Sequence, residues 1–300
     1  MRVERASSAE ELRALAPGGE SVRGQVEQII GAVRQGGDAA LQELAKHFDG
    51  WTGDLRVPAE RLDAAGAALR GDVRAGLETA MANVAAVAGA SLGDDAELEL
   101  PQGQRIAVRE LPVRRAAIYA PGGRNPYPST VVMGVVTAQV AGVEEIVVCA
   151  PGGHDVLLGA CALLGVDEVY AMGGAHAVAA LAYGTETIPR VDVIAGPGSL
   201  YVQEAKKLVF GDVGIDGFLG PSDLLVLAGA DADPALVAID LLAQAEHGEG
   251  TVVALITTDP ALAEDIAARL AAGADTGAAA AVLVAGSLEE GCAVADGFAP

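Results

Sequence analysis

From Ala116 onward, short apolar runs alternate with stretches of helical spacing. AAIYAPGG (116–123), EIVVCAPGG (145–153), EVYAMGG (168–174) and VDVIAGPG (191–198) each end in Gly or Pro. Between them, Ser129–Ala141, Val156–Leu164 and Ala175–Tyr183 carry the period of a helix. Apolar strands separated by helices predict a parallel sheet covered on both faces. A helix over Leu200–Val209 closes this first sheet. The pattern then restarts: strands over Leu224–Ala228, Thr251–Thr257 and Ala281–Ala285, with helices over Pro234–His247, Pro260–Ala271 and Leu288–Gly297. The expected fold is α/β, with two successive Rossmann-like parallel-sheet units over 113–220 and 221–300. Residues 272–280, AGADTGAAA, read as a loop.

Residues 1–112 read differently, as a helical N-terminal arm and an extended link. Ser8 and Glu11 form a capping-box pattern. Helical periodicity covers Val22–Gln35 and Ala39–Phe48, and Trp51–Val57 is an extended link. Pro58 opens a helix that runs to about Ala90, with breaks expected at Gly66 and Gly71. Residues 92–112 look extended and polar, with turns at Gly93-Asp94 and Gln102-Gly103. The arm holds no constellation that suggests chemistry; its expected job is packing or subunit contact, and His47 reads as a surface histidine.

The helix after Asp233 has chemistry at its end. Asp233 is a plausible N-cap and Pro234 suits the first helical position. Leu236, Val237, Ile239, Leu241 and Leu242 are dense enough to predict a largely buried helix. Gln244 and His247 lie three apart and share a face at the last turn, with Asp240 on the same side. The C-terminal pole of a helix carries partial negative charge, which favours a cation. An amide oxygen and an imidazole there are half a metal site, or polar residues that simply end a helix.

Composition narrows the partners. The chain carries 41 acids against 19 bases, net −22, so no basic stripe is available for a nucleic acid or an anionic membrane. No apolar run is long enough to span a bilayer, and MRVERASSAEELRAL has no signal-peptide core. Cys149, Cys161 and Cys292 are widely spaced in apolar contexts and read as small buried hydrophobes in a reducing compartment. A cytoplasmic protein is expected.

Ligands of open parallel sheets gather outside the carboxyl ends of the strands. Tyr119 leads through Asn125–Pro128 to Ser129-Thr130, and Gly196-Pro-Gly-Ser199 opens the next helix. Amides at such helix starts suit phosphate groups, although the spacing is not GxGxxG and tight turns also require glycine. Ser222 either presents its hydroxyl at this rim or shapes a turn. His176, in the first turn of its helix, either meets a ligand or caps. His154 sits on what reads as an exposed turn and receives no role.

Together, YAPGG…YPSTVVM, GGAHAVAAL, VDVIAGPG, GPSDLLVLA and above all LLAQAEHG resemble histidinol dehydrogenase, from the arm to the last residue. The resemblance implies one zinc ion per subunit and NAD as acceptor of two successive hydrides. L-histidinol passes through a held aldehyde to L-histidine in that family. It further implies that Gln244 and His247 ligate zinc and border substrate, that Ser222 contacts substrate, and that Tyr119 contacts the cofactor. His176 and Ser199 stand at cofactor-bordering positions where the family has glutamine and asparagine. Asp223 replaces a glutamate. The family continues past the Phe298-Ala299-Pro300 segment with a catalytic Glu-His pair and two further zinc ligands. The chain is therefore expected to be C-terminally truncated, with no catalytic residue of its own and no activity in isolation. A homodimer acting on small-molecule substrate is implied. Alternatives are a related zinc and NAD dehydrogenase of another primary alcohol, such as a sulfonated diol, and a non-catalytic remnant.

Overall fold

The computed structural model describes residues 1–15, 22–122, 126–218 and 222–300. The loop through Gly123 and Asn125, and Gly220 and Pro221 of the GPSD stretch, lie outside the described residues. The chain divides into two compact units, Val22–Leu219 and Met1–Ser21 with Gly220–Pro300. The expected boundary at 112/113 is not where it divides. The first residues belong with the C-terminal unit, because Val3–Arg5 (β1) pairs in parallel with the last strand of the chain. Three residues are too few for any periodicity to show, so only the sheet reveals them.

The second element, α1 (Ala9–Ala14), is capped as expected: Ser8 accepts from the Glu11 amide, and Glu11 accepts from the Ser7 amide. The larger unit follows. It opens with α2 (Arg23–Leu44), kinked at Gly37 (φ 51°), and a π-turn over Ala45–Asp49. Then come α3 (Ala59–Ala68) and α4 (Gly71–Ser91). The expected break at Gly66 is absent. Gly66 is buried inside α3, and a Cβ there would lie 2.9 Å from the Ala162 Cβ, so the glycine serves close helix packing. A two-stranded antiparallel hairpin, β2 (Ala96–Glu99) and β3 (Arg105–Val108), follows with every residue exposed.

The main sheet of this unit consists of β4 (Arg115–Tyr119), β5 (Glu145–Cys149), β6 (Glu168–Tyr170), β7 (Val193–Ala195) and β8 (Gly214–Ile215), all parallel, in the order β6-β5-β4-β7-β8. The connecting helices are α5 (Pro128–Val140), α6 (Asp155–Leu163), α7 (Gly174–Tyr183) and α8 (Leu200–Val209). Alternate strand residues serve opposite faces, as the pleat requires. Ala117, Tyr119, Val147 and Cys149 pack with α2, α7 and α8, while Ile118, Ala120, Val148 and Ala150 pack with α3 to α6.

The smaller unit contains β9 (Leu224–Ala228), α9 (Pro234–Ala245), β10 (Val252–Thr257), α10 (Pro260–Ala272), β11 (Ala279–Val284) and α11 (Leu288–Phe298). Its sheet is parallel, ordered β1-β11-β10-β9. Helices α9 and α10 cover one face, α1 and α11 the other. Two expectations fail here. Helix α9 is only half buried: Val237, Ala238, Leu241 and Ala245 face the sheet, but Leu236 and Ile239 are each 63% exposed. The sheet offers one face, so only one stripe of a uniformly apolar helix is covered within this unit. Cys292 is exposed, unlike Cys149 and Cys161, because it lies on the outer side of α11. Among the described residues no helix is long and apolar enough to cross a membrane.

Candidate functional site

The sequence-predicted residues fall into two groups, one in each unit. In the smaller unit, α9 starts at Pro234 with the Asp233 side chain accepting from the Ala235 amide. The helix ends at Ala245 and not at His247 as expected; its last turn carries Gln244, and the turn that follows brings His247, to the start of β9, where Ser222 waits. The Gln244 Nε2 donates to the Ser222 carbonyl and hydroxyl, both at 2.8 Å. It lies 3.3 Å from the His247 Nδ1, and the Ser222 Oγ lies 3.5 Å from the same nitrogen. Ser222, read separately along the sequence, therefore converges with the Gln244 and His247 pair. The bonds to Ser222 fix the plane of the amide and leave its Oε1 free of protein partners among the described residues. Asp240 is exposed on α9 and takes no part in this cluster.

Asp223 has a different task. Its Oδ1 accepts from the Val252 amide at 2.7 Å, joining the start of β9 to the start of β10 beside the cluster. The donor chemistry fits part of a zinc site: one amide oxygen and one imidazole, where three or four protein ligands are the norm. Among the described residues, no group of three or more His, Cys, Asp or Glu comes together to hold a metal.

In the larger unit the strand order reverses between β4 and β7, which places a ligand crevice beyond their carboxyl ends. Tyr119 ends β4 there and Ser199 follows β7. Tyr119 is buried, and its hydroxyl accepts from the Gly174 amide at 3.0 Å. Burial, reinforced by the neighbouring Cys149, pushes the phenol well above its ordinary pKa, so it stays protonated. Ser199 is the exposed N-cap residue of α8, and its side chain makes no capping bond. The same holds at the start of α5, whereas α1, α9, α10 and α11 of the smaller unit are each capped by a side chain. Open first-turn amides on both sides of the crevice suit a diphosphate.

His176 points elsewhere. It is 1% exposed, bonded through Nε2 to the Asp49 carboxylate at 3.1 Å and stacked on Phe48. Asp49 also accepts from the Gly173 amide, so it holds the start of α7. The expected exposed turn at His154 is half buried, with its Nε2 2.9 Å from the Gly122 carbonyl. Asp49 carried no sequence signal: an acid at a helix end is ordinarily solvated. Lys206 did carry one, because it shares the apolar face of α8 with Val202, Ala205 and Val209.

Comparison with known proteins addresses both groups at once. The sequence profile of the histidinol dehydrogenase family matches residues 16–300. The histidinol dehydrogenase of Parasynechococcus marenigrum is 45% identical over 258 residues, covering 84% of this chain and 59% of that protein. The Corynebacterium jeikeium histidinol dehydrogenase is 44% identical over 280 residues, covering 88% and 62% respectively. The crystal structure of histidinol dehydrogenase from Elizabethkingia anophelis superposes with a TM-score of 0.86 at 29% identity, covering 100% of this chain and 74% of that one. The chain thus spans about three fifths of the length of the curated relatives it matches. With a family profile running over nearly the whole chain and a shared architecture beneath it, the chain belongs to the histidinol dehydrogenase family.

Proposed function

We propose that this chain carries the substrate-side and cofactor-side scaffold for the NAD-linked, zinc-dependent oxidation of L-histidinol to L-histidine. The convergence of Ser222, Gln244 and His247 at the end of α9 carries the reading. The Gln244 Oε1 and the His247 imidazole are the two donors this chain would offer the ion. When bound, zinc supplies Lewis acidity toward the alcohol oxygen and NAD supplies the hydride acceptor. The work of the chain's own residues is orientation. Ser222 holds the Gln244 amide plane, and its hydroxyl stands beside the imidazole to meet a polar group of the substrate. Asp223 ties that turn to β10. The open starts of α5 and α8 would receive the NAD phosphates, with Ser199 at the mouth and Tyr119 beneath it.

Two donors fall short of a tight zinc site, so the isolated chain is expected to bind zinc weakly and to show no turnover with histidinol, zinc and NAD. Turnover by the isolated chain would contradict this. Replacing His247 by Ala is expected to weaken zinc binding by a further factor of about ten or more, measured by competition with a chromophoric chelator. Zinc affinity unmoved by His247→Ala and Gln244→Ala together would sink the metal assignment. Offering other primary alcohols to a full-length relative carrying this chain tests the substrate: oxidation of a sulfonated diol with histidinol ignored would favour the related dehydrogenase.

We further infer a homodimer. The hairpin of β2 and β3 supports it, with Leu98, Ile106 and Val108 between 43% and 53% exposed and Leu111 at 80%. A lone hairpin is marginal in water, and burying these residues against a second copy would stabilise it. Sedimentation equilibrium is expected to show a dimer that Ile106→Lys dissociates; a monomeric wild type would count against it.

A further inference from the structure

We propose that the buried Lys206 and the part-exposed Asp216 form a positioning pair that sets the Gly196–Ser199 turn for NAD; this rests on the cofactor reading above. Lys206 lies on α8 and is 0% exposed. Its ammonium pairs with one oxygen of the Asp216 carboxylate and donates to the Gly196 carbonyl at 3.0 Å. The other Asp216 oxygen accepts from the Gly196 amide at 2.7 Å. One ion pair therefore grips both polar groups of a single residue.

That residue is the first after β7, on one side of the crevice where the sheet order reverses. Gly196 adopts φ +126° and lies against the Tyr119 backbone. Three residues later Ser199 opens α8, whose first-turn amides have no side-chain cap. A lysine on the helix that these amides begin, bonded back to the strand end, closes a small ring. Gly196, the turn and the helix start then move as one body. Preorganised amides bind an anion without first having to be ordered.

The test must separate positioning from folding. Removing Asp216 alone would leave the fully buried Lys206 ammonium without its carboxylate, a large cost, whereas neutralising both partners is tolerated in many proteins. The double variant Lys206→Met/Asp216→Asn retains an acceptor for the Gly196 amide and loses the donor to its carbonyl. Its near-ultraviolet circular dichroism is expected to match the wild type. Its Kd for NAD, by isothermal titration calorimetry, is expected to rise about tenfold or more. Hydrogen exchange at the first amides of α8 is expected to accelerate in parallel. NAD binding and exchange equal to wild type in the folded double variant would overturn the positioning role alone. A wild type that binds no NAD would overturn the cofactor reading and this inference with it. If the double variant does not fold, Lys206→Met alone carries the test, since the part-exposed Asp216 is then left to solvent: weakened NAD binding is expected, and wild-type affinity would overturn the proposal.

Discussion

Replacing Arg115 by methionine is expected to destabilise the larger unit by about 3 kcal/mol, because it leaves the Glu168 carboxylate without its paired cation, while Glu145 keeps Arg114. Arg115 begins β4 and is 3% exposed. Its Nη1 donates to Glu145 at 2.9 Å and to Glu168 at 3.0 Å, and its Nη2 donates to Glu168 at 2.5 Å. The Tyr170 hydroxyl donates to the same Glu168 carboxylate at 2.7 Å. Three neighbouring strands are thereby joined at their amino ends. Burial alone would raise the Glu168 pKa, but the hydrogen bonds and charge of Arg115, with help from Tyr170, outweigh it and hold the carboxyl below its ordinary value.

The sign of the pH dependence follows. A carboxylate with a lowered folded-state pKa stabilises the fold above its unfolded pKa, and that stability is lost as pH falls through the folded value. The wild type should therefore weaken as pH drops below about 4. In Arg115→Met the same carboxyl is left part-buried without its paired cation, so protonation relieves it and the gap to wild type narrows in acid. Urea melts at pH 7 and pH 3.5 check this. A gap that stays the same at both values would show that packing, not the ion pair, explains the loss.

The second large effect is expected at Gly196→Ala. An added Cβ would sit 2.1 Å from the Tyr119 carbonyl oxygen and about 3 Å from the Tyr119 backbone carbon and nitrogen. Those atoms belong to a central strand and cannot rotate away as a side-chain tip would. The φ of +126° adds strain for any L side chain. A cost above about 3 kcal/mol is expected, read as a fall in thermal midpoint of roughly 6 °C or more. Gly103→Ala provides the contrast. Gly103 also has positive φ, +88°, but nothing lies within 4 Å of its Cβ position, so only backbone strain of about 1 kcal/mol applies. Equal melting temperatures for the two variants would mean that β4 and β7 are not packed as closely as described.

Much of the architecture could be read from the chain because it is written in short-range patterns. Apolar runs ending in Gly or Pro mark the strands from β4 to β7; Ser8 and Asp233 mark helix starts through bonds to amides two or three positions away, and Pro234 through its fixed φ at the first helical position. The pairing of Gln244 with His247 was equally visible, since one helical turn guarantees a shared face. Spacing on its own left open whether that pair was a site or a helix end, because the missing term was Ser222, 22 residues earlier than Gln244.

What the tertiary structure decided is what depends on distant partners. Val3–Arg5 becomes a strand only because β11 has a free edge to accept it. Helix α9, apolar on all sides, shows only in the fold which stripe is covered, since hydrophobicity does not say which face meets the sheet. His176 turns inward because Asp49, 127 residues away, supplies the acceptor. Local sequence sets backbone preferences within a few residues. Which polar group neutralises which, and which apolar face is buried, depends on chain segments that meet only after folding.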